Sequence, residues 1–108
     1  MGSLASKRVD FTTKFILLLA HARYLGYEPA IGEVKRHEVD EDIGHPNSVH
    51  FNGLAGHVII YDRNFNWLSG EEARPAYEAL HDYWDYLGGA PRINGDLNHF
   101  SVEHNGVR

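Results

Sequence analysis

The segment that most restricts how this chain folds is Leu54 to Tyr61, which reads Leu-Ala-Gly-His-Val-Ile-Ile-Tyr. It is β-branched and almost wholly apolar, and Asp62-Arg63-Asn64 behind it are turn residues, so it predicts a central strand. Such a strand needs apolar cover. Two segments with helical spacing can supply it. In the first, Phe11, Phe15, Leu18, Leu19, Ala22 and Leu25 recur every three or four residues, with Asp10 or Thr12 as cap and Gly26 as the stop. In the second, Ala73, Ala76, Tyr77, Leu80, Tyr83, Trp84 and Leu87 do the same. It follows Ser69-Gly70-Glu71-Glu72, which matches a capping box, carries Pro75 in its first turn and runs out at Gly88-Gly89.

The remaining elements are short. Tyr27 to Arg36, with Pro29 and Gly32, reads as an edge strand, and Leu97 to Val102 as a last strand after the Pro91 to Gly95 connector. His37 to Asn47 is acidic, ends in Gly44, His45 and Pro46, and reads as an exposed loop. Together these elements predict an α+β fold, a small antiparallel sheet with two main helices packed on it.

Composition narrows the function. At 108 residues the chain fits one domain, with residues 1–9 expected to be a tag or flexible N-terminus and residues 10–108 the folded unit. The net charge of −5 and the scattered ten Lys and Arg argue against nucleic acid. Absence of cysteine removes disulfides, thiolate metal sites and cysteine nucleophiles, so any metal must be held by histidine and carboxylate. Lys7 and Arg8 before Phe15 to Leu19 imitate a signal peptide, but Asp10 and Lys14 interrupt the run and its spacing is helical, so no secretion signal is recognised. No stretch approaches the roughly 20 apolar residues of a membrane span.

Two spaced sets of residues carry chemistry. The first is Ser48-x-His50-x-x-Gly53-x-Ala55-x-His57, two histidines across a glycine-bearing turn and onto the central strand. The second is Asp96-x-x-His99. A catalytic zinc site needs three protein ligands, an open fourth position and a carboxylate able to take a proton from water, and these segments hold that inventory. As spacing alone the signal is weak, because eight histidines in so short a chain make many pairs.

At these residues the chain resembles the zinc peptidase family that includes D-alanyl-D-alanine peptidases and dipeptidases and the L-alanyl-D-glutamate peptidases of phage endolysins. The resemblance runs from Val9 onward. It comprises the opening helix, Gly32-Glu33-Val34-Lys35-Arg36, the 48 to 57 motif, a Trp-bearing helix ending in Gly-Gly, and Asp96-Leu97-Asn98-His99-Phe100. It implies that His50 and His99 bind Zn2+ in a site on the sheet, that Asp96 is the general base, and that Arg36 orients substrate or stabilises the oxyanion. One position departs: the family has an aspartate ligand where this chain has His57.

Imidazole binds zinc at about the same distance as a carboxylate, so His57 is a candidate third ligand. Three outcomes stay open for that exchange: an active three-histidine site, a site with altered metal or activity, or a disabled enzyme. The resemblance implies a hydrolase of bacterial cell-wall peptidoglycan, with the stem peptide as partner; a monomer is expected, with neither nucleic acid nor membrane as partner. The bond expected is L-alanyl-D-glutamate, with a D-alanyl-D-alanine carboxypeptidase and a non-catalytic metal or cell-wall binding module as alternatives. A phage product of this kind is expected in the host cytoplasm before release to the wall. Ser48 either hydrogen-bonds near the site or caps a turn, Tyr77, Tyr83 and Trp84 read as core, and His21 as a surface histidine.

Overall fold

A computed structural model describes residues 3–32 and 54–103. Ser3 opens α1 (Leu4–Tyr24) by accepting a hydrogen bond from the Ser6 amide at 3.1 Å. The helix thus begins earlier than Asp10 or Thr12, and residues 4–9, expected to be loose, lie within it. Leu4 shows why: it packs against the core and extends the Phe11, Phe15, Leu18, Ala22 stripe by two turns. At the other end Gly26 turns at φ 104°, and Arg63 donates to the carbonyls of Arg23 and Gly26, closing groups that helix termini leave open.

The sheet has three antiparallel strands in the order β1 (Glu28–Ile31), β2 (Ala55–Tyr61), β3 (His99–Ser101), so the apolar run occupies the centre as its composition requires. Along β2 the residues alternate. Val58 and Ile60 are fully buried towards the helices, while His57, Ile59 and Tyr61 are half-buried on the other face. The fold is α+β, two helices against one antiparallel sheet.

Helix α2 (Arg74–Leu87) has Pro at its start and is preceded by a single 3-10 turn, Gly70–Glu72. The capping box expected from Ser69 is not formed: Ser69 makes no side-chain cap bond, and the α-helix starts only at Arg74. The chain between them is held instead by backbone bonds, Glu72 to Ser69 and Ala73 to Gly70, both 3.2 Å. Gly88 ends α2 in the left-handed conformation at φ 89°, where a side chain would be strained. Gly89 then passes so close under Trp84 that a Cβ there would overlap the indole. Trp84 itself is fully buried, edge-on to Phe11 and Phe100, and donates to the Ser101 carbonyl at 2.9 Å. It binds both helices to β3. Among the described residues no helix is long and apolar enough to cross a membrane.

Candidate metal centre

Strand pairing builds the site. In the β2–β3 register His57 stands directly opposite His99, and cross-strand partners project from the same face of a sheet. That face is the one turned away from the helices, since the neighbouring pair, Gly56 and Phe100, faces the core and Phe100 packs on Trp84 and His81. The two imidazoles lie with ring centroids 5.6 Å apart at 62°.

Asp96 arrives from the turn before β3. Gly95 adopts φ 81°, the Asp96 amide donates to the Ile93 carbonyl, and the Asp96 carbonyl accepts from the His99 amide at 3.1 Å. This double turn folds the Asp96 side chain back over His99. One carboxylate oxygen is 3.9 Å from His57 Nε2 and the other 3.9 Å from His99 Nδ1. These separations are too long for hydrogen bonds, so the carboxylate stands beside both rings without capturing either. The His99 side chain is 6% exposed, that of His57 28% and that of Asp96 43%, giving a site closed below and open above.

The donor set fits a divalent ion. One donor atom from each of His57, Asp96 and His99 lies within 4.8 Å of the others. Around a tetrahedral ion with bonds of about 2.1 Å, ligand atoms are roughly 3.4 Å apart, so small side-chain rotations bring the three into range. Two imidazoles and a carboxylate match the chemistry of zinc and of its neighbours in the first transition row. Gly32 adds a constraint: its amide donates to the His57 carbonyl at 2.7 Å, and a Cβ on it would stand 3.1 Å from His57 Cβ. The glycine lets the end of β1 pass against His57 without displacing it.

Of the residues the sequence singled out, His57, Asp96 and His99 come together. His50, Arg36 and Ser48 lie outside the described residues, as do His37, His45, Gly53 and His104. One buried group has no partner spacing in the sequence that singles it out. His81 is 1% exposed, stacks on Phe100 with centroids 4.2 Å apart, and its Nε2 meets the Leu97 carbonyl at 2.7 Å. Burial holds its pKa below the ordinary histidine value of 6.5, against the opposing pull of the Leu97 bond. The signal was present, since residue 81 falls four positions after Tyr77 and three before Trp84, on the core stripe of the helix. By holding Leu97 it also supports the loop between Asp96 and His99. His21 is half-buried against Tyr83, rings parallel at 3.9 Å.

Compared with known proteins, no protein-family model matches this chain, and no curated protein matches it.

Proposed function

We propose that this chain is a zinc-dependent peptidase that hydrolyses peptide bonds of peptidoglycan, with the L-alanyl-D-glutamate bond as its first candidate. The observation that carries the reading is the convergence of His57, Asp96 and His99, from a strand and a distant turn, into one group with ligand atoms within 4.8 Å. The resemblance to the zinc peptidases supports it at Asp96 and His99, while position 57 departs from that pattern.

In this reading His57 and His99 hold the ion together with His50. A bound zinc ion would polarise the scissile carbonyl and acidify water at its open position. Asp96 is the base: its half-exposed carboxylate takes a proton from the attacking water and returns it to the leaving amine. His81 keeps the Leu97 backbone in place, so the carboxylate does not drift from the imidazoles. Arg36 takes the developing negative charge or orients the substrate. A D-alanyl-D-alanine carboxypeptidase uses the same residues on a different bond.

A second reading has one observation in its favour. Asp96 is as near to His57 as to His99, so it can itself serve as the third ligand, standing in for the aspartate that His57 replaces. The base is then lost and the chain is a metal or wall-binding module. Clearing of purified peptidoglycan with stoichiometric zinc, measured beside metal content, separates the two. For the peptidase, Asp96→Asn keeps the metal and loses clearing by a factor of 100 or more, a usual magnitude for a lost general base. Loss of metal in Asp96→Asn, or clearing only by His57→Asp, supports the second reading, and a chain that takes up no metal sinks both.

A further inference from the structure

Two tryptophans serve this chain in opposite ways. Trp84 is fully buried, whereas Trp67 is 64% exposed although its backbone is firmly placed. Trp67 bridges Tyr61, and the Leu68 amide donates to the Ile60 carbonyl at 3.0 Å. The turn before it is tied by the Asp62 carboxylate, which accepts from the amides of Asn64 and Asn66 at 2.8 and 2.9 Å and from the Asn66 side chain at 3.1 Å. A large indole is therefore held towards solvent by a rigid mount.

It lines a groove of about 760 Å³, within the size range of ligand sites. The floor includes Ile59 and Tyr61, on the same face of β2 as His57, and another wall is the 94–98 turn that carries Asp96. Polar groups come from Asn94, Asn98, Glu71 and Arg74. Charge decides what such a groove accepts. Arg74, the one cation lining it among the described residues, is held by Glu71 through two bonds, Nε to Oε1 and Nη2 to Oε2, both 3.0 Å, and lies 3.8 Å from Glu78. A guanidinium paired in this fork has no surplus charge for an acidic ligand. What remains is an aromatic face, two planar amides and a neutralised ion pair that presents donors and acceptors side by side.

From this arrangement we infer that the groove binds a neutral oligosaccharide, its C–H face against the Trp67 indole and its hydroxyls on Asn94, Asn98 and the Glu71–Arg74 pair. Apolar body and polar rim are matched in both partners. The inference does not depend on a metal at His57, although a saccharide seated there lies along β2 next to that residue.

The test uses the intact chain and chitotetraose, a neutral sugar oligomer, read by tryptophan emission. Trp84 is already sealed from water, so any spectral change reports Trp67. The expected result is a saturable blue shift with a dissociation constant on the order of 1 mM, and no shift with tetragalacturonate, an acidic sugar oligomer. Calorimetry with Trp67→Ala is expected to show at least a tenfold loss of sugar affinity at an unchanged melting temperature, since the ring is on the surface. Glu71→Gln, which breaks the fork on Arg74, is expected to weaken chitotetraose binding and to admit tetragalacturonate. No shift with chitotetraose, or sugar binding that survives Trp67→Ala, would each overturn the assignment, as would an equal shift with tetragalacturonate.

Discussion

His81 is the residue whose chemistry differs most from its sequence appearance. Its imidazole is neutral in the fold because burial disfavours the cation, and the folded pKa lies below the unfolded 6.5. The unfolded state therefore binds the extra proton first. The neutral ring's contribution is complete above pH 6.5 and is lost as pH falls from there through the lower folded pKa. Urea titrations between pH 7.5 and 5 are expected to show stability declining with acid, by at most about 1.4 kcal/mol per pH unit from this one proton. In His81→Gln that part of the slope disappears; an identical slope in both proteins would show that His81 does not titrate on unfolding. Gly89 makes a second point at this scale. Nothing in the pair Gly88-Gly89 says which glycine is indispensable, yet only the second lies under the Trp84 indole. Gly89→Ala is expected to lower stability by about 3 kcal/mol, the upper range for overpacking, read by thermal melting.

Elements are joined by a few directional contacts laid over apolar packing. The Tyr77 hydroxyl donates to the Val58 carbonyl at 2.6 Å and so pins α2 to the strand that carries His57. Tyr77→Phe is expected to cost about 1 kcal/mol in chemical denaturation, the net worth of one hydrogen bond, with the helix content unchanged in circular dichroism. Leu80, fully buried among both helices and the sheet, is a test of packing itself: Leu80→Ala should cost about 2 to 5 kcal/mol. The existence of α1, β2 and α2 was legible because their apolar residues repeat at the period of the element. Their starts were less so. The helix start at Ser3 was hidden because a serine among small residues is equally at home in a loose terminus. The Ser69 capping box failed because its chain first closes a 3-10 turn, leaving the α-helix to begin beyond its reach.

At the scale of the whole molecule the helices take one face of the sheet and leave the other to the site. Both helices and the core side of β2 are joined in a single apolar cluster, so His57 and His99 are held on a rigid base. A metal bound at that base stabilises only the folded state. Free zinc at a hundredfold excess over its dissociation constant is expected to raise the unfolding free energy by about 2.7 kcal/mol. Calorimetric melting should show the shift in the unaltered chain and its loss in His99→Ala; an equal shift in both would place zinc elsewhere.

The sequence by itself determined the fold class and named three residues of the candidate site, His57, Asp96 and His99. An apolar β-branched run and two helical stripes can bury their faces only against one another, and Asp96-x-x-His99 holds a carboxylate near an imidazole by local turns alone. Tertiary structure decided what those residues face. The pairing of Ala55–His57 with His99–Ser101 sets His57 opposite His99, and a slip of one residue would have sent the imidazoles to opposite faces. Burial of His81 and exposure of Trp67 were likewise decided there, because both depend on which distant segments pack beside them. Local composition does not carry that information.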